Sequence, residues 1–334
     1  MSRLKVGVIG AGNWGRNHVR TVAGLADAEL AAVCDTDAGT RERIARQYPS
    51  AHASGDLADF LPRVDAVIVA SPAATHATLA LQCIDAGKAC LVEKPFALST
   101  RDAETVAQRA AARKVPVLAG HLLVFHPAVE RLRTLVQSGE LGTIYYLYGL
   151  RVNLGQVRAD ENALWSFGPH DVSVALYLLG EAPARVAAHG KSYLQPNVED
   201  VVFLTMEFAS GVLAHVQLSW LDPHKERKLT VVGAKKMVVF DDMEPREKLR
   251  IYDKGVDRPP EYGSYGESLA IREGDIFIPC IPNVEPLAAE LQHFVRVARG
   301  TESARSGAGD GVRVVRVLAA ATQSLAAGGA PVTL

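Results

Sequence analysis

Short apolar runs punctuate the first third of the chain, and between them apolar residues return at helical spacing. Val6, Val8 and Ile9 open the series, followed by ELAAVC at 29–34, DAVIVAS at 65–71, KACLV at 88–92 and a run at 115–119. Nearly continuous apolar runs of this length read as strands buried on both faces. The segments between them read as helices: one from Gly15 to about residue 25, one over 75–87 with Ala77, Leu79, Ala80 and Cys83 at helical spacing, and one over 99–113. Strands alternating with helices in this way predict a parallel sheet wound on both faces.

From about residue 122 the pattern changes. A helix over 127–139 leads into longer segments with alternating apolar residues at 143–153, 184–191, 200–208, 212–220, 227–232 and 236–240, with turn residues such as Gly211 and Gly233 between them. Consecutive strands with short connections predict a large, open, mostly antiparallel sheet. A helix over 169–179, closed by Gly180, lies between the first two strands, and the tail reads as helices over 286–299 and 310–326. The fold class is therefore α/β joined to α+β: a doubly wound Rossmann domain over 1–122 and a second domain with the open sheet over 123–334.

The junction of the first strand and helix carries candidate chemistry. VGVIGAGNWGRNH places Gly10, Gly12 and Gly15 in a G-x-G-x-x-G turn, with Asn13 and Trp14 inside it. The first glycine allows a tight turn, the second lets the backbone approach a pyrophosphate, and the third lets the helix pack on the sheet. Helix-start N–H groups would hold the phosphates. Asp35 ends the second strand, 20 residues past Gly15, where a carboxylate would accept hydrogen bonds from ribose hydroxyls. Thr36 and Asp37 offer no arginine to a 2′-phosphate, which favours NAD, while Arg41 and Arg43 leave NADP open. The loop after the third strand faces the same crevice, so Ser71, Pro72, Thr75 and His76 are expected on the nicotinamide side, His76 equally readable as a helix-start polar residue.

Length, charge and cysteine usage narrow the class without changing this picture. The 334 residues suit two domains, and a net charge of −1 argues against non-specific nucleic-acid binding. No apolar run reaches a membrane-spanning length, and the N-terminus enters a strand at once, without a signal-peptide pattern. Cys34, Cys83, Cys90 and Cys280 show no metal-ligand spacing and read as thiols of a reducing compartment, the cytoplasm; no metal site is expected.

Several segments, in this order, carry a resemblance: VGVIGAGNWGRNH, ASPAATH, LVEKP, SGELGTIYYL, WSFGPHD, GDIFIP with EPLAAELQHF, and DGVRVVRVLAAATQSL. Together they resemble the Gfo/Idh/MocA oxidoreductases from end to end, the E-K-P after the fourth strand being the most specific element. The resemblance implies an NAD(P)-dependent enzyme acting on a hydroxyl of a sugar, cyclitol or related polyol, with 123–334 as the substrate-binding and oligomerisation domain, and a homodimer or homotetramer built through the open sheet. It implies Glu93 and Lys94 at the cofactor, Lys94 as a catalytic donor to the substrate oxygen, and a cis bond before Pro95. His170, in WSFGPHD, matches the family's catalytic histidine. Read as first-turn residues of a helix, Pro169 and His170 also suit a neutral base, because the positive helix end disfavours imidazolium.

One position departs from the pattern. Much of the family has an aspartate four residues before this histidine, and here Ser166 stands there. Serine holds no charge but can bind substrate or cap a helix. With RVNLG upstream and SWLDPHKERKLTVVG downstream, the chain looks most like members that oxidise nucleotide-activated amino sugars such as UDP-N-acetylglucosamine at C3. Arg151, Asn153, Arg158, His224, Lys225 and Arg227 are candidates to hold the sugar and diphosphate, each also readable as a solvated charge or polar group. A free-sugar or inositol-type dehydrogenase is the alternative, and a non-catalytic cofactor-binding regulator the third.

Overall fold

The computed structural model describes residues 2–159, 161–257 and 270–334. They divide into two compact units, Met1–His126 with Val284–Arg316, and Pro127–Asn283 with Val317–Leu334.

In the first unit, strands β1 (Leu4–Ile9), β2 (Ala28–Cys34), β3 (His52–Ser54), β4 (Ala66–Val69), β5 (Ala89–Glu93) and β6 (Val117–Gly120) form one sheet in the order β3-β2-β1-β4-β5-β6. Every pairing in it is parallel. The order reverses between β1 and β4, and a crevice opens beyond the carboxyl ends of strands at such a point. Gly10 and Ser71, which follow those two strands, therefore stand at its mouth. Helices α1 (Gly15–Gly24), α2 (Ala38–Gln47), α3 (Leu57–Phe60), α4 (His76–Asp85) and α5 (Thr100–Arg113) connect the strands. Three of them start on side-chain caps: Asp37 accepts from the Thr40 N–H, Asp56 from the Ala58 N–H, and Ser99 from the Asp102 N–H.

The second unit opens with α6 (Pro127–Gln137), β7 (Ile144–Val152), α7 (Ala163–Leu179) and β8 (Pro183–Lys191). Strands β9 (Val201–Phe208), β10 (Leu213–Ser219), β11 (Glu226–Gly233), β12 (Met237–Asp241), β13 (Leu249–Asp257) and β14 (Ala270–Phe277) follow. After α8 (Pro286–Ala298) and α9 (Ala308–Ala326), β15 (Val332–Thr333) closes the far edge against β8. Among the described residues the sheet has nine strands, ordered β14-β13-β12-β11-β7-β10-β9-β8-β15, antiparallel except between β7 and β10. Helix α7 packs on one face. On the other, Tyr146 and Tyr148 of β7 lie in register with Leu213 and His215 of β10, and with Phe203 of β9 they leave an apolar, exposed patch.

Two features differ from the sequence expectation. The division after residue 122 put the whole tail in the second domain, whereas Leu287, Leu291 and Phe294 of α8 are buried with Val8, Val19, Ile68 and Leu91 of the first unit. An amphipathic helix shows which face it buries but not which sheet will cover it. Helix α7 starts at Ala163 rather than at 169, because the Asn162 side chain caps it by accepting from the Trp165 N–H at 3.0 Å. Pro169 then lies inside the helix and has no N–H to give the Trp165 carbonyl. Strands β3, β13, β14 and β15 were not predicted.

The returning tail is stitched to the edge of the parallel sheet. Ser306 accepts from the Ala119 N–H at 2.9 Å, Leu118 bridges Gly307, and the Ser306 hydroxyl lies 2.8 Å from Nδ1 of buried His121. Burial pushes the His121 pKa down to about 4. The unfolded chain takes up this proton near pH 6.5 and the folded protein does not, so stability falls with pH across that window and levels off below it. Urea titrations should show His121→Gln losing about 2 to 3 kcal/mol less than the parent between about pH 7 and about pH 4.5. An undiminished acid loss in the variant would contradict this assignment.

Candidate active site

The glycine turn has the shape a dinucleotide requires. Gly10 takes φ +85°, and a Cβ there would come within 2.7 Å of the Ser71 backbone. A Cβ on Gly15 would collide with the Gly10 carbonyl oxygen, whereas one on Gly12 meets nothing within 4 Å. The first and third glycines thus serve the fold, and the second keeps an approach clear. Helix α1 starts at Gly15 without a side-chain cap, which suits its first turn to an anion.

Asp35 buttresses this turn as well as facing it. Its Oδ2 accepts from the Ala11 N–H at 2.7 Å and its Oδ1 from the Asp37 N–H at 2.9 Å. The two arginines that left NADP open are turned onto backbone carbonyls: Arg41 donates to the Asp35 and Thr36 oxygens, and Arg43 to the Ala11 oxygen.

Past β4, the Ser71 and Thr75 hydroxyls lie 2.7 Å apart, and Thr75 also donates to the Pro72 carbonyl at 2.8 Å. Pro72 and Thr75 are exposed and Ser71 is half-buried. His76 is not on this surface, as expected from sequence, but buried. Its Nδ1 lies 2.8 Å from the Pro95 carbonyl and its Nε2 2.8 Å from the Ser71 carbonyl, so the ring ties the β4 loop to the E-K-P loop.

Strand β5 delivers Glu93, Lys94 and Pro95, and the Lys94–Pro95 peptide is cis. Lys94 is half-buried at the strand end. Glu93, expected at the cofactor, is instead buried with both carboxylate oxygens engaged inside the protein. Oε1 accepts from the Trp14 indole N–H at 2.5 Å and lies 2.7 Å from His18 Nε2, and Oε2 accepts from the Lys94 N–H at 2.9 Å. Burial alone would push the Glu93 carboxyl up, but His18, Trp14 and the Lys94 amide hold it below its ordinary range. Trp14 and Asn13 are exposed in the turn itself.

In the second unit, α7 places Ser166, buried, one turn before half-buried His170. Because α7 starts at Ala163, His170 lies beyond the first turn, where the macrodipole has faded. What secures this stretch is the next residue. Asp171 accepts from Arg151 Nε at 2.5 Å and from its NH2 group at 3.3 Å, a buried pair joining α7 to β7. Arg151, expected at the substrate, is thereby committed to structure, since removing either buried partner would strand the other charge.

The remaining predicted residues lie after β7 and around the start of β11. Asn153 is half-buried at the end of β7. Arg158 is exposed and pairs with Glu161, while His224 and Lys225 are exposed on the turn before β11. Arg227 pairs with Asp242 at 3.5 Å. Sequence reasoning missed His18, Asp171 and Glu290. Among the described residues no group of three or more His, Cys, Asp or Glu side chains could hold a metal, and no helix is long and apolar enough to cross a membrane.

Comparison with known proteins matches these parts one by one. The GFO_IDH_MocA family model, described as an oxidoreductase family with an NAD-binding Rossmann fold, matches residues 4–121, and the GFO/IDH/MocA C-terminal domain model matches residues 129–239. Inositol 2-dehydrogenase 2 of Saccharopolyspora erythraea is 31% identical over 224 residues, 64% of this chain and 66% of that protein. UDP-N-acetylglucosamine 3-dehydrogenase of Acidithiobacillus ferrooxidans is 29% identical over 330 residues, 97% of this chain and 96% of that one. Among solved structures, GenD2 from gentamicin A biosynthesis, in complex with NAD, superposes with a TM-score of 0.83 at 27% identity, covering 100% of this chain and 97% of its own.

The glycine geometry separates two variants. Gly12→Ala should fold with an unchanged melting temperature, yet calorimetry should find NAD binding at least about tenfold weaker, because the added methyl blocks the pyrophosphate approach. Gly15→Ala should lower the melting temperature as well. Equal NAD affinity in Gly12→Ala and the parent would refute this division of roles.

Proposed function

The chain belongs to the Gfo/Idh/MocA oxidoreductases, NAD-dependent enzymes acting on CH–OH groups, and from that premise we propose that it oxidises the C3 hydroxyl of a nucleotide-activated amino sugar such as UDP-N-acetylglucosamine. The observation that carries this choice of substrate is the near-full-length likeness to UDP-N-acetylglucosamine 3-dehydrogenase. Ser166, standing where inositol dehydrogenases keep an acid, supports it. An inositol-type reading is favoured by the higher identity, over a shorter stretch, to inositol 2-dehydrogenase.

Bound NAD supplies the hydride acceptor. The chain's residues divide the rest of the work. The backbone from Gly10 to Gly15 and the start of α1 hold the pyrophosphate, Asp35 accepts from the ribose, and Ser71, Pro72 and Thr75 border the nicotinamide. Lys94 donates to the substrate oxygen and stabilises its developing negative charge. His170 accepts the hydroxyl proton. Ser166 and Asn153 bind the sugar by hydrogen bonds, and Arg158, His224, Lys225 and Arg227 hold the diphosphate.

The exposed Tyr146, Tyr148, Phe203 and Leu213 face suits a homodimer or homotetramer contact, consistent with the depletion of charge in interface cores. Three buried free thiols, Cys34, Cys83 and Cys90, suit a reducing cytoplasm.

Incubation with NAD and UDP-N-acetylglucosamine should raise the nicotinamide absorbance, and Lys94→Ala or His170→Ala should each lower kcat by about 10²- to 10⁴-fold. Turnover of myo-inositol in place of the UDP-sugar would move the assignment to the inositol type. NAD binding without turnover of any polyol would favour a regulator.

A further inference from the structure

The Glu93 carboxylate joins three parts of the first unit. Through Oε1 it holds the Trp14 indole of the dinucleotide turn and faces His18 Nε2 of α1, and through Oε2 it holds the Lys94 amide. A carboxylate only accepts, so the His18 proton facing it sits on Nε2. Gly120 of β6 gives the side chain its room: a Cβ there would stand 3.3 Å from the Glu93 carboxyl carbon.

Behind Glu93 two ionisable groups are sealed from water. His18 is 0% exposed, rests edge-on against Trp14, and has no partner at Nδ1 among the described residues. Glu290 of α8 is also 0% exposed, and among the described residues neither of its carboxyl oxygens has a hydrogen-bond partner. Helix α8 packs against both α1 and β5, the elements that carry His18 and Glu93. An ionised carboxylate with no partner in such a place would be prohibitively costly. Burial, then the charge of Glu93, push the Glu290 pKa well above its ordinary value, so Glu290 keeps its proton at neutral pH.

We propose that His18 and Glu290 are positioning residues for Lys94 that act through Glu93: His18 pins the carboxylate beneath Trp14, and Glu290, as a neutral acid, leaves Glu93 the single anion of the three. The inference rests on Lys94 being the catalytic lysine. It makes one continuous path from the turn that seats the dinucleotide to the residue that meets the substrate oxygen, so a change at His18 reaches both ends.

The test uses the free protein and NAD and needs no sugar, so it stands apart from the choice of substrate. The chain has three tryptophans, and Trp14→Phe identifies the Trp14 indole resonance in an amide correlation spectrum. His18→Phe keeps the ring volume and removes the donor. It should shift both the Trp14 indole and the Lys94 amide resonances and weaken NAD binding about tenfold, and His18→Gln, which can restore an N–H, should recover part of each. A folded His18→Phe protein with both resonances and the NAD affinity at their original values overturns the proposal. If that variant does not fold, infrared spectroscopy decides: a protonated-carboxyl band present in the parent at neutral pH and lost in Glu290→Gln supports the proposal, and its absence from the parent overturns it.

Discussion

The first unit depends on one close approach of backbone to backbone. With no side chain on Gly15, α1 can begin directly against the Gly10 carbonyl, and with φ +85° at Gly10 the chain can leave β1 past Ser71. This brings the start of α1, the Asp35 carboxylate and the β4 loop to one rim of the sheet. The same approach carries Trp14 and His18 over the end of β5. The cofactor turn and its contacts with Glu93 are therefore consequences of a single steric permission.

Buried charge is handled in three ways. Glu93 is anionic and surrounded by donors, Arg151 and Asp171 neutralise each other, and Glu290 remains protonated. Each arrangement costs desolvation, and none is needed merely to stabilise, since well-packed apolar residues serve that purpose as well or better. What they supply is direction: an acceptor-only carboxylate or a bidentate pair admits few geometries. Asp200 does the same on the far sheet, accepting from the Trp220 indole at 2.5 Å and from the Tyr193 and Leu194 amides.

The parallel half of the fold was legible because both of its signals are local: runs such as AVIV of β4, and a glycine turn with its acid at a set distance. The parallel pairing followed from the alternation. Strands β13 and β14 at one end of the other sheet were not legible, since charged residues such as Asp253, Lys254 and Arg272 interrupt the alternation there. Lys94 was visible as a strand-end residue in a specific motif. His76, Glu93 and Arg151 have the residue types of binding sites, and only the tertiary partners show that they are spent inside the protein. His18 and Glu290 did leave a trace. Residue 18 lies on the stripe of Gly15, Val19 and Val22, and residue 290 on the stripe of Leu287, Leu291 and Phe294, so an ionisable group on each otherwise apolar face was the available sign.

The return of α8 to the first unit has a consequence for synthesis. Residues 1–126 leave the ribosome with the seat of Leu287, Leu291 and Phe294 still uncovered, and it stays so while strands β7 to β14 are being made. The nascent chain therefore carries an open apolar surface until residues 286–298 have been made, a period in which a chaperone has a defined patch to hold. The acid of the buried cluster arrives on that same helix, so the ionisable groups around Glu93 are completed only after the strands and turn they serve.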